Sequence, residues 1–355
     1  MLLEIIVLLV FIYRLYIILK EKFILYEIDH ENGLSFMLNQ KEKTASLSGN
    51  NTLSDNILIP YSINHNEQQF IITSIHENAF ISSRNIKIIS FTSDSKLHTI
   101  GKKSFYSSSI EKIIIPSSVS KIEEYSFLRC THLKIVEFSE NSKLEIIGKD
   151  AFTYSSIEKI TIPSSVTKIC ENAFHVCSKL TKVTFPINSK LSLIEKGAFW
   201  SSSIYDITIP SHVKHIGEGA FYCCKNLKSV KFGDNAELQL IEQDCFFGSA
   251  IEEISIPPSL REIGTSAFSR CINLRKVIIP DNSELKSIGS TAFFRTSLVS
   301  FGFPSHVKIL KQYTFGDCKS LQLVLFPENS EMEEISYNSF MHSTPYFMIP
   351  INMRN

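Results

Sequence analysis

The 355-residue sequence holds one tryptophan against 26 phenylalanines, and it has no surplus of either charge: Lys+Arg and Asp+Glu each number 36, a formal net charge of zero. The missing basic surplus argues against a nucleic-acid partner, because binding phosphates calls for a concentrated positive surface. Glycine (13) and proline (12) are too scarce for a collagen-like or low-complexity chain, and 44% apolar residues are enough to bury a core. Long hydrophobic runs are missing too. The uninterrupted run Ile5 to Tyr13 has nine residues, whereas crossing a bilayer takes about 20. No G-x-S-x-G, phosphate-loop, Rossmann or H-E-x-x-H pattern occurs, and Ser117-Ser118, Ser164-Ser165 and Ser201-Ser202 recur as turn pairs rather than as one nucleophile. No catalytic residue, cofactor or metal site is therefore expected.

The phenylalanines explain their own abundance. Phe80, Phe105, Phe127, Phe152, Phe174, Phe199, Phe221, Phe246, Phe268, Phe293, Phe315 and Phe340 are separated by 25 and 22 residues in strict alternation. Pro116, Pro163, Pro210, Pro257 and Pro304 repeat every 47 residues, as do Cys130, Cys177, Cys224, Cys271 and Cys318. Length alone allows about two domains of roughly 150 residues; an unbroken register replaces them with one solenoid.

Each coil carries a strand signature. In Ile157-Glu158-Lys159-Ile160-Thr161-Ile162 apolar and polar residues alternate toward the end, the mark of a strand with one buried face. Proline follows in the shorter coils and ends the pairing. A second extended piece comes next, such as Val166 to Ile169, and then a small residue before the Phe, as in Ala173-Phe174. A coil of this size cannot bury its own apolar side, so neighbours must stack and the Phe column becomes an internal stripe. The expected fold is a strand-dominated repeat solenoid of about 12 coils alternating 22 and 25 residues, with short helical turns.

The stretch Ile169 to Val183, with Ala173-Phe174-His175-Val176-Cys177 and Leu180 at its centre, resembles the BspA-like leucine-rich repeat proteins and their I-G-x-x-A-F-x-x-C-x-x-L-x-x-I-x-I-P motif. The likeness runs over residues 57–343 and implies surface-associated adhesion or protein binding. Ser108, Ser155, Ser202, Ser249 and Thr296 stand where the motif has Cys. Residues 23–75 are read as a β lead-in, 76–343 as the leucine-rich repeat array and 344–355 as a C-terminal cap or tail.

Eight cysteines invite disulfides, but ladder cysteines two coils apart would lie about 9–10 Å from each other, beyond the roughly 7 Å reach of a bridge. Free thiols are expected. His212 and His215 have an H-x-x-H spacing, yet on a strand they point to opposite faces. Asn50-Asn51-Thr52 is the one N-glycosylation triplet.

A binding surface should use the outward strand positions Lys112, Lys159, Thr161, Lys182, Thr184, Asp206, Thr208, Glu253 and Lys276, whose mixed charge suits other proteins as partners. Leu323, Leu325 and Tyr346 to Ile349 form either a cap over the last coil or an exposed contact patch. Residues 1–22 are an apolar N-terminal segment that reads as a membrane anchor, a signal peptide or a non-membrane extension. It lacks a basic leader and a small-residue cleavage site, and Arg14 would have to snorkel if it spans. Membrane association would run through residues 1–19. Lys20 and Lys22 would keep the array cytoplasmic by the positive-inside rule, while the family resemblance implies the cell surface. The two functions that follow are a non-enzymatic surface protein for adhesion or for host or matrix contact and, as the alternative, an intracellular membrane-tethered scaffold.

Overall fold

The computed structural model describes the backbone course of residues 24–29 and all of residues 33–348. The expectations for the apolar segment 1–22, including Arg14, Lys20 and Lys22, and for Ile349 onward lie outside the described residues.

Two parallel ladders run the length of the molecule. One is a row of two-residue strands, from Thr99–Ile100 and Lys121–Ile122 through Lys168–Ile169 and His215–Ile216 to Glu334–Ile335, each pairing with the equivalent strand one coil away. The other is built from longer strands in three consecutive sheets: Asn56–Ile59 to Ile135–Phe138, Lys159–Thr161 to Lys276–Ile278, and Ser300–Gly302 to Tyr346–Met348. Among the described residues these sheets have 4, 6 and 3 strands, so the face counts 13, one more than the ladder phenylalanines. Their inward residues, such as Ile113, Val136, Ile160, Val183, Ile207 and Val230, are buried, while their outward neighbours face solvent, as the alternation in the sequence requires. At the N-terminal end the antiparallel strands Leu34–Asn39 and Thr44–Asn50 and the parallel strand Gln68–Ile75 join the short ladder and place Phe36, Leu47 and Phe70 in the core.

The Phe column is continuous. From Phe80 to Phe340 each ring stacks on the next with centroids 4.8–5.5 Å apart, inside the range favourable for offset aromatic pairs. The residue before each ring is small because its own side chain is buried in the packed interior, as at Ala173, Ala198 and Cys245, and its carbonyl receives the Phe N–H of the preceding coil: Phe152 donates to Ala173 at 2.8 Å, Phe174 to Ala198 at 2.8 Å and Phe221 to Cys245 at 2.8 Å. Cys245 thus fills a place that alanine, serine or threonine holds elsewhere. Phe91, Phe138 and Phe232 close strands at half-buried positions, and Phe303 and Phe326 are buried.

The short helical turns expected from sequence are not helices. Every coil from Phe80 to Phe315 carries a left-handed residue two before and two after its Phe, for example Asn172 (φ 56°) and Val176 (φ 53°) around Phe174. Each interrupts the run of right-handed residues that a helix needs. Alternate N–H groups therefore turn along the solenoid axis: Asn172, Phe174 and Val176 donate to Lys196, Ala198 and Trp200 of the next coil, while Ala173, His175 and Cys177 bond back within their own. The result is a third inter-coil ladder made of turn backbone.

Candidate protein-interaction surface

The strand face brings the sequence-predicted positions into rows. Lys159, Lys182, Asp206, Ser229, Glu253 and Lys276 are successive partners across the central sheet, with Thr161 beside Thr184 and Thr208 beside Lys231. Lys112 lies in the preceding sheet, paired in register with Ile135. Lys159, Thr161, Lys182, Thr184, Thr208, Glu253 and Lys276 are exposed, and Lys112 and Asp206 are half-buried. Opposite charges meet between strands: Lys182 Nζ lies 3.1 Å from Asp206 Oδ1, and Lys112 Nζ 3.1 Å from Glu137 Oε2. Ion pairs this open to water contribute at most about 1 kcal/mol, so the row can exchange them for a partner's charges at little cost to the fold.

An open groove of about 750 Å³ runs along this face between Lys134–Ser142, Glu158–Thr161, Lys182 and Thr184. A second, of about 680 Å³, lies against Ser229–Phe232, Glu253 and Ser255. Lys159 and Glu253 stand 94 residues apart, two 47-residue periods, so the two grooves are the same feature repeated.

Sequence reasoning missed the apolar share of this face. Leu58, Ile88, Ile114 and Ile135 point outward and are 56%, 39%, 38% and 42% exposed. With Asn56, Ser90, Lys112 and Glu137 they make a checkerboard over the first four strands. The signal was present in Lys112-Ile113-Ile114-Ile115, where isoleucine occupies the outward place that threonine holds in Lys159-Ile160-Thr161-Ile162. At the far end Tyr346–Met348 pairs with Leu323–Leu325, and the Phe347 ring stands edge-on to Phe340 at 5.1 Å. This strand covers the last ring of the column while leaving Tyr346 81% and Met348 60% exposed, so it is both a lid and an apolar surface.

All eight cysteines are free. Burial pushes the thiols of Cys130, Cys177, Cys224 and Cys271 up to about 12, which makes them inert at neutral pH. His212 and His215 are both exposed, and His212 Nδ1 lies 3.0 Å from Glu237 Oε1 in the next coil. Among the described residues no group of three His, Cys, Asp or Glu side chains could hold a metal ion, and no helix is long and apolar enough to cross a membrane. Asn50 of the glycosylation triplet is half-buried and donates through Nδ2 to the carbonyl of Ala79 (3.2 Å) and to Ser83 Oγ (3.1 Å).

The repeat geometry has a family. The model for the BspA type leucine rich repeat region (6 copies) matches residues 52–146, 145–248 and 239–353. The chain belongs to that family. Among solved structures it is similar to a leucine-rich repeat protein from Bacteroides ovatus, with 23% identity and a TM-score of 0.61 over 91% of this chain and 100% of that one. It is also similar to the pneumococcal vaccine antigen PcpA, with 20% identity and a TM-score of 0.52 over 92% of this chain and 94% of that one. At these identities the likeness speaks for the fold. Among curated proteins no sequence matches.

Proposed function

We propose that this protein is a non-enzymatic binding protein at the cell surface, where its strand face docks other proteins in adhesion or in contact with host or matrix. The observation that carries this is the strand face itself: a long, regular surface whose outward columns hold Lys159, Lys182, Asp206, Glu253 and Lys276 in fixed register. Mixed charge beside an aliphatic checkerboard is the composition of a protein interface, with apolar contact at its centre and polar selectivity around it. Kinship in fold with an antigen supports an exposed location. Lys112, Thr161, Thr184 and Thr208 complete the docking positions, and no cofactor or nucleic acid takes part.

Lys20 and Lys22, directly after the apolar N-terminal run, favour the second reading, a membrane-tethered scaffold facing the cytosol. Protease treatment of intact cells separates the two. Loss of the array under shaving fits the surface protein; full protection until the cells are lysed fits the scaffold and removes adhesion.

A further inference from the structure

A different face of the solenoid carries a second arrangement. The residue directly after each ladder Phe points to the flank formed by the turns, and in three consecutive coils it is Trp200, Tyr222 and Phe247. These half-buried rings stack on one another, Trp200 on Tyr222 at 3.9 Å and Tyr222 on Phe247 at 4.7 Å, nearly parallel in both cases. Gly219 makes room for the indole: a Cβ there would sit 2.8 Å from Trp200 Cζ3. The open face of Phe247 is covered by Arg270, whose Cζ lies 5.7 Å from the ring centroid. Arg270 is exposed and makes no ion pair among the described residues. Arg295, over Phe294 at 5.1 Å, is by contrast neutralised by Asp317 at 2.8 Å. The nearby carboxylate of Asp244 accepts from Gln243 Nε2 at 3.0 Å.

Because the rings face each other, they show solvent their edges. Between Trp200 and Phe247 a flat sugar therefore finds no open ring face on which to stack, and beyond Trp200 the His175 ring stands 6.0 Å away, tilted by 53°. What the stripe offers is an apolar ridge ending in the guanidinium of Arg270 over Phe247. A guanidinium presents its N–H donors as a fork that matches a carboxylate. Tryptophan, tyrosine and arginine are also the residues that dominate binding energy at protein interfaces.

We infer that this flank is a second docking site, independent of the strand face, for a protein segment that sets an Asp or Glu carboxylate on Arg270 and an apolar side chain along Trp200 and Tyr222. Trp200 is the only tryptophan of the chain, so its fluorescence reports on this site alone.

The test is a selection from a display library of random short peptides against the full chain. The expected winners combine acidic with apolar residues, shift Trp200 emission, and bind Arg270→Gln at least ~10-fold more weakly. Arg270→Gln keeps a side chain over Phe247 on an exposed position, so the fold is retained and circular dichroism confirms it. The proposal is overturned if the winners lack carboxylates, if they bind Arg270→Gln as well as the parent, or if none are recovered. Peptides lost with Lys182→Glu and kept with Arg270→Gln belong to the strand face and count against the flank.

Discussion

The thiol of Cys177 donates to the carbonyl oxygen of Phe152 in the preceding coil at 3.1 Å, and Ser155 Oγ lies 3.3 Å from the same sulfur. The contact recurs at Cys130, Cys224, Cys271 and Cys318, each with the Phe 25 residues before it. Cysteine and hydroxyl residues therefore alternate because they are the two halves of a buried hydrogen-bonded unit that repeats every 47 residues. Cys177→Val fills the volume without donating: the Phe152 carbonyl keeps the Ser155 N–H at 3.0 Å, but the buried Ser155 hydroxyl loses its partner. We expect a loss of about 1–3 kcal/mol, read from the midpoint of urea unfolding; an unchanged midpoint would show that packing alone holds the column.

The same thiols set an alkaline limit. Burial raises those of Cys130, Cys177, Cys224 and Cys271 from 9.0 to about 12 in the folded state. Between those values the unfolded chain releases protons that the folded chain keeps, so stability falls as pH rises. Unfolding free energy should be insensitive to these groups below about pH 9 and decline steadily from there toward pH 12. Half-buried Cys170 and Cys223 should react first with a thiol reagent on the native protein.

Phe174→Ala should cost about 3–5 kcal/mol, because that ring is fully buried between Phe152 and Phe199. Phe340→Ala should cost distinctly less, since the last ring is half-buried and, among the described residues, stacks on Phe315 on one side and meets Phe347 edge-on. Equal losses in thermal melts of the two variants would mean that the column does not bear the load assigned to it.

The Phe column and the strand face were legible in sequence because each follows from a period that a single chain displays: 25 and 22 for the rings, alternation for the strands. The turns were not. A run such as Glu171-Asn172-Ala173-Phe174-His175 has ordinary helical composition, and only stacking against the next coil makes the left-handed residues at Asn172 and Val176 worth their strain. Among candidate site residues, Lys159, Thr161 and Lys182 came from alternation alone. Trp200, Tyr222 and Phe247 keep the same spacing but fill their column in only three consecutive coils, so the period of the Phe one place earlier masks theirs.

Gly219→Ala tests the flank locally. Gly219 sits at φ 57° with no room for a Cβ beneath Trp200, so the variant should lose about 1–3 kcal/mol and its tryptophan emission should move toward that of an exposed indole. Unaltered emission would show that the glycine is not what seats the ring.

The claim that the strand face meets a protein partner is tested most directly by a photo-crosslinking amino acid placed at Thr184, and in a control at Thr167. Both are exposed, but Thr167 borders the short ladder on the other side of the solenoid. In intact cells that make the protein, Thr184 should yield discrete protein adducts and Thr167 none. Adducts of equal yield from both positions, or from Thr167 alone, would contradict a docking role for the strand face.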